Sequence, residues 1–197
     1  SQSLLLSSLG DRLEAHDCLV STKVKADALL AEYAIRQTVS SLPKGFIDVC
    51  FLWGGSKEQL NDPLLFSLMS SMLESGLVKR FGLNTHNLSI MNALSNLRCF
   101  PLLSDVMIDF SLVQHDRSHF ICDVNDKGLR VWAGTALAQG FLLESIFSQF
   151  MRTRSISYLA RSFFNPPTRR LCSSASPLRR LIQKSFPSSY RHLPLAF

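Results

Sequence analysis

The chain has 197 residues, 46% of them hydrophobic and 18% charged, with a formal net charge of +6 at pH 7. That length suits about one domain with a sizeable core, and the composition excludes a disordered or collagen-like chain. No apolar run reaches the roughly 18 residues of a membrane span, and the leucines of residues 1–17 lack the basic residues that open a secretory signal.

The charge is uneven. Residues 141–197 carry nine Lys or Arg against a single acidic residue, Glu144, while residues 1–140 sum to −2. A basic tail can meet phosphate, nucleic acid or a membrane surface, but a solvated, loop-rich face is the simpler reading. The five cysteines are Cys18, Cys50, Cys99, Cys122 and Cys172, with no CxxC pair among them. The first three sit in apolar runs, where free Cys behaves as a small hydrophobe. Such usage points to a reducing, cytoplasmic setting.

Leucines at 5, 6, 9 and 13 give helical spacing over 3–16. A short strand is expected over 18–23. A helix over 27–42 follows, with Leu29, Leu30, Tyr33, Ala34, Gln37 and Val39 as its stripe. Residues 46–53 read as a buried strand stopped by Gly54 and Gly55. Residues 57–75 read as a helix with Leu60, Leu64, Leu65, Leu68, Met69 and Met72 inward. Then come a strand over 78–83, a helix over 88–97, a strand over 104–110, a helix over 117–127 and a strand over 129–135. Val20, Val49, Phe51 and Phe81 are expected on the inner face.

Each step of 25 to 32 residues holds one strand and one helix. This repeat demands a parallel sheet covered by helices, either doubly wound or a (β/α)8 barrel. No GxGxxG follows the first strand, so the dinucleotide fingerprint is absent. Five units in about 120 residues fall short of the roughly 250 of a closed barrel. The expected fold class is α/β, a (β/α)8 TIM-barrel type that is incomplete, with five to six units. Beyond Gly140 the chain is rich in Ser, Arg and Pro. Pro166, Pro167, Pro177, Pro187 and Pro194 are expected to break it, leaving short helices at 142–151 and 177–185. The domain reading is 1–143 for the βα units and 144–197 for a basic loop and helix segment leading to the last barrel units.

Four groups of short motifs recur in order on this period. Ser21-Thr22-Lys23 ends the first strand. Phe46-Ile47-Asp48-Val49 opens the second, and Leu52-Trp53-Gly54 closes it. Ser75-Gly76-Leu77-Val78-Lys79-Arg80-Phe81-Gly82 follows. The last is Gly128-Leu129-Arg130-Val131-Trp132-Ala133-Gly134-Thr135-Ala136-Leu137-Ala138-Gln139-Gly140. In order and spacing these resemble the aldo-keto reductases over roughly residues 3 to 143. The resemblance implies a barrel that interconverts a small-molecule carbonyl and its alcohol with NADP(H).

Carried over by position, the family's catalytic lysine falls on Lys23, at a strand end where barrel enzymes keep their chemistry. A bland reading is a lysine pointing to solvent. The family histidine falls on Trp53, which offers one N–H donor and cannot exchange a proton as imidazole does. Trp53 either packs over a ligand or is a core aromatic. The pair that holds the nicotinamide amide falls on Asn84 and Thr85. The loop near the cofactor pyrophosphate falls on Thr135, Leu137, Gln139 and Gly140. The family glutamine becomes Met107 and the stacking aromatic becomes Gly134, so two chemical positions are altered. The family Asp and Tyr are expected in units preceding Ser1, and the eighth strand beyond Phe197. Two readings follow: an active oxidoreductase, or a catalytically impaired barrel serving as a binding or interaction module. Open sheet edges invite association, so a second subunit or further chain is expected to cover them.

His115 and His119 share a helix face with the spacing of a zinc pair, yet no third ligand is obvious beyond Asp123. A polar helix start capped by Asp116 is the simpler reading, and no metal is expected. Arg169, Arg170, Arg179, Arg180 and Lys184, near Phe163, Phe164 and Tyr190, resemble the mix used by single-strand binders. No recognisable nucleic-acid motif accompanies them, so a nucleic-acid partner is not expected.

Overall fold

The computed structural model describes residues 18–113, 117–143, 145, 160 and 164–185. The helix expected over 3–16 lies outside them, and that over 142–151 lies largely outside. The elements are β1 (Ser21–Lys25), α1 (Ala28–Ser40), β2 (Val49–Trp53), α2 (Lys57–Leu60), α3 (Pro63–Glu74), β3 (Phe81–Asn84), α4 (Leu88–Asn92), β4 (Leu103–Asp109), α5 (Ser118–Asp126), β5 (Arg130–Gly134) and α6 (Pro166–Ser185). Five parallel strands lie in one sheet in sequence order. Among the described residues the sheet is open, with β1 and β5 at its edges. This is part of a (β/α)8 barrel. The chain divides into two compact units, one of Ser1–Ile108 with His119–Trp132, the other of Asp109–Ser118 with Ala133–Phe197.

In the first unit, strand parity decides what each side chain meets. Along β1, Thr22 and Val24 are buried while Ser21, Lys23 and Lys25 are exposed. Register carries this parity across the sheet. Val24 pairs with Leu52, Leu52 with Leu83, and Leu83 with Val106. These four form a buried row on the side shared with Ala31 and Ile35 of α1 and Leu65, Met69 and Met72 of α3. The other face carries the row Lys23, Phe51, Gly82, Asp105. Phe81, expected on this inner face, pairs with Cys50 and so belongs to the opposite one. The apolar pattern could not reveal this, because both faces of a barrel strand are apolar.

Three helix readings are corrected. In α1 the buried residues are Ala31 and Ile35, while Leu29, Leu30 and Tyr33 are 81%, 53% and 65% exposed. Asp27 accepts from the Leu30 N–H at 3.0 Å and so fixes the helix start. The small Ala31 then faces the sheet, and the larger leucines do not. The single helix expected over 57–75 is two. Asp62 caps Leu64 N at 2.9 Å, and Pro63 takes the first helical position. A proline there lacks the N–H needed to continue α2, and Leu64 is left 70% exposed. The helix expected over 88–97 stops at Asn92 and gives way to the 3₁₀ turn Leu94–Asn96.

The inner face is held by a polar contact under an aromatic one. Asp105, with no exposed surface, accepts from Arg80 Nε at 3.1 Å and from Trp132 Nε1 at 2.8 Å. The Trp132 ring meets the buried Phe51 ring edge to face, with centroids 5.5 Å apart at 80°. Gly82 lies between their strands. A Cβ there would stand 2.5 Å from the Phe51 ring and 3.1 Å from the Asp105 carbonyl oxygen.

In the second unit, α6 overturns the expectation that its prolines break the chain. Asn165 Oδ1 accepts from Thr168 N at 3.1 Å and caps the helix. Pro166 and Pro167 then occupy the opening turn, where no N–H is required. The helix runs through Pro177 to Ser185. Its buried residues Leu171 and Ala175 pack with Ala138, Phe141 and Leu142, and that packing outweighs the one hydrogen bond that Pro177 removes. Arg179 donates to the Phe141 carbonyl at 3.0 Å, so it serves this packing rather than a phosphate strip.

Gly82→Ala should destabilise the fold by about 1–3 kcal/mol, the usual cost of overpacking. Urea unfolding measures it, and adding Phe51→Leu should recover part of the loss. A second outcome concerns the thiols. Burial pushes Cys50 up to about 12 and Cys99 up to about 11, while Cys18 and Cys122 are exposed. At pH 8 a thiol reagent should label Cys18 and Cys122 quickly and leave Cys50 and Cys99 until the protein unfolds. Because these folded thiols hold their protons more tightly than unfolded ones, stability should fall as pH climbs from about 9 towards 12.

Candidate functional site

Parallel strands end together at one edge of the sheet, and loops there form the natural mouth of a barrel. The register fixes which side chains share that level. Lys25 pairs with Trp53, Trp53 with Asn84, and Asn84 with Met107. These four form one row across β1 to β4, spaced by about 4.8 Å per strand. They carry the same parity as Phe51 and Asp105, so the row tops the inner face.

A cavity of about 410 Å³ opens beside this row, lined by Trp53, Gly54, Gly55, Asn84, Thr85, His86, Asn87 and Ile90. The chain turns away from β2 through Gly54, whose φ of +67° suits glycine. Gly55 passes close to Ala26: a Cβ on it would stand 2.6 Å from the Ala26 Cβ. This turn leaves Trp53 at the rim, 44% exposed.

Asn84 and Thr85 are 8% and 7% exposed, yet both line the cavity. The Thr85 hydroxyl oxygen accepts from Asn87 N at 3.1 Å, which leaves its proton available to donate. No group among the described residues bonds the Asn84 side-chain amide, although the residue is more than nine-tenths buried. Its polar atoms are not among the fully enclosed, unpartnered ones, so the amide opens to the cavity, where it can both donate to and accept from a ligand.

The expected site residues are placed as follows. Trp53, Asn84 and Thr85 line one cavity. Lys23 pairs with Phe51, one level below Trp53 on the same inner face. Lys25, which sequence reasoning passed over, is the lysine that pairs with Trp53. The motif drew the eye to Lys23, and only the register distinguishes the two. Thr135, Leu137, Gln139 and Gly140 belong to the second unit, in one loop after β5. Thr135 and Gln139 hold φ of 53° and 56°, in the left-handed region. That conformation is unusual for a β-branched residue, and Thr135 Oγ1 steadies it by donating to Asp109 Oδ1 at 3.1 Å. Of the histidine pair, His119 is exposed on α5 and His115 lies outside the described residues. Among the described residues no three His, Cys, Asp or Glu side chains gather as a metal site.

No protein-family model and no curated protein matches the sequence. Solved structures do match, and they are aldo-keto reductases. One from Bacillus halodurans, in its holo form, is 18% identical with a TM-score of 0.57, over 72% of this chain and 48% of that one. One from Klebsiella pneumoniae in complex with NADPH is 15% identical with a TM-score of 0.60, over 94% and 75%. The aldose reductase from Schistosoma japonicum is 15% identical with a TM-score of 0.54, over 91% and 75%. The likeness covers about half of the first chain and three quarters of the other two. At this identity it establishes the shared fold.

Trp53 and Trp132 should separate by quenching. Acrylamide should quench the rim indole of Trp53 several times more efficiently than Trp132, which is half-buried and bonded to Asp105. Comparing Trp53→Phe with Trp132→Phe isolates each signal.

Proposed function

We propose that this chain forms part of an NADP(H)-dependent oxidoreductase of the aldo-keto reductase type, acting on a small-molecule carbonyl or the matching alcohol. The observation that carries it is the Asn84 amide, which opens on the cavity beside Thr85 at the strand ends with no hydrogen bond to another described residue. An amide and a hydroxyl at that place suit a carboxamide, the group that a nicotinamide presents. In the proposed role the cofactor supplies hydride when bound. Asn84 and Thr85 hold its carboxamide, and the loop with Thr135, Leu137, Gln139 and Gly140 serves its pyrophosphate. Lys23 contributes positive charge on the inner face. Trp53 shapes the substrate side and excludes water.

The partial fit keeps a second reading in view, an impaired barrel that binds without turning over. Met107 and Gly134 lack the hydrogen-bonding and ring functions expected at their positions, and Trp53 cannot relay a proton as imidazole does. On either reading the five unbridged cysteines suit a reducing, cytoplasmic setting. Among the described residues no helix is long and apolar enough to cross a membrane. The partner proposed is a small molecule, with a second subunit or further chain covering the open edges of the sheet.

Titration with NADPH, read by tryptophan fluorescence, tests the cofactor role. The expected result is saturable quenching that Asn84→Ala weakens about tenfold. Absence of saturable binding at millimolar NADPH overturns it. With binding established, carbonyl-dependent loss of the reduced-nicotinamide signal marks the active reading, and binding without turnover marks the impaired one.

A further inference from the structure

The second unit carries an apolar groove that the proposed cofactor role does not use. A cavity of about 460 Å³ lies between the turn after β4 and helix α6, lined by Leu112, Val113, Ser174, Pro177, Leu178 and Leu181. All of these residues belong to the second unit. Val113 and Leu178 are half-buried and pack against the cluster of Phe141, Leu171 and Ala175, so the groove has a fixed floor. Its walls are less covered: Leu112 is 69% exposed and Leu181 59%. Contiguous apolar surface rimmed by charge is the pattern of an interaction site.

The rim charge identifies the occupant. Arg170, Pro177, Leu181 and Lys184 stand at i, i+7, i+11 and i+14, which is one stripe of a helix. A guanidinium and an ammonium therefore flank the residues that α6 gives to the groove, and both are exposed. There is no Asp or Glu on α6. Among the described residues neither Arg170 nor Lys184 makes an ion pair. From Ser174 to Leu181 the groove runs about 10 Å along α6, two helical turns. A recess of that length suits the apolar face of a helix better than a flat lipid surface.

We propose that this groove docks an acidic amphipathic peptide helix, with its apolar side chains between Leu112 and Leu181 and its carboxylates beside Arg170 and Lys184. The site stands apart from the cofactor reading, since no residue of the strand-end cavity takes part in it.

The test follows the fluorescence anisotropy of a labelled peptide titrated with the full chain. The peptide is about 15 residues long, enough for a helix, with leucines along one face and glutamates at both ends. One control peptide has lysines for the glutamates, and another has serines for the leucines. The glutamate–leucine peptide should bind about tenfold more tightly than either control, the scale of one well-packed contact. Its advantage over the lysine peptide should shrink at high salt. Leu181→Asp should weaken it about tenfold. Arg170→Gln with Lys184→Gln should remove the preference for glutamate, whereas Arg169→Gln with Arg180→Gln, on another side of α6, should leave it. All five positions are exposed, so circular dichroism should show each variant folded. Absence of binding, or equal binding of the three peptides, overturns the proposal. So does a glutamate preference that survives the loss of Arg170 and Lys184. Three other results also overturn it by assigning the groove a different occupant. They are adsorption to phosphatidylserine vesicles without peptide binding, dimerisation that Leu181→Asp abolishes, and peptide binding that appears only when residues 186–197 are removed.

Discussion

A carboxylate with no exposed surface must find compensation inside the protein or lose its charge. Asp105 finds it in two donors far apart in the chain, Arg80 Nε just before β3 and Trp132 Nε1 on β5. The consequence is geometric as much as energetic. Trp132 is turned so that its ring meets Phe51 edge to face. Phe51 in turn requires that residue 82 carry no side chain. Four residues from four strands are thus locked in one layer of the inner face. The row of Lys25, Trp53, Asn84 and Met107 stands directly above that layer. A site whose residues come from separate strands needs such a floor, because side chains position ligands only as well as the strands beneath them are held.

The two faces of the sheet divide the work differently. The buried row Val24, Leu52, Leu83 and Val106 is uniformly apolar and supplies burial energy. The inner face mixes an ion pair, aromatic rings and free lysines, and supplies position. Changes on the first face should mostly cost stability. On the second, changes in the layer of Phe51, Gly82 and Asp105 should also cost stability, while changes in the row above it should mostly redirect what the mouth accepts.

Much of the fold was legible in the amino-acid sequence because the period of one strand and one helix repeats and because strands such as 49–53 are strongly apolar. Strand order followed from that period. What escaped was phase. The apolar stripe of α1 was read through Leu29, Leu30 and Tyr33, yet the cap at Asp27 turns Ala31 and Ile35 to the sheet. Phe81 was read as inward because parity cannot be recovered where both faces are apolar. The prolines of α6 were read as breaks, although a capped start places two of them where a helix tolerates proline. The motif at Ser21-Thr22-Lys23 falls on β1, but the register, absent from any local motif, is what sets Lys23 beside Phe51 and Lys25 beside Trp53.

The pattern of retained and altered positions has a physical logic. Residues that shape the backbone at the strand ends, such as Gly54 with its positive φ and the close-packed Gly55, must hold their conformation whatever the site does. Residues that only face the ligand are free to change with it. The indole at position 53 offers one N–H donor and a broad apolar surface at the rim of the cavity. Lys23 and Lys25, exposed on the neighbouring strand β1, place positive charge on the same face as that rim. A strand paired with β1 would bond its backbone and leave the side chains of Lys23 and Lys25 on the face of the sheet, so a covered edge and positive charge at the mouth are compatible.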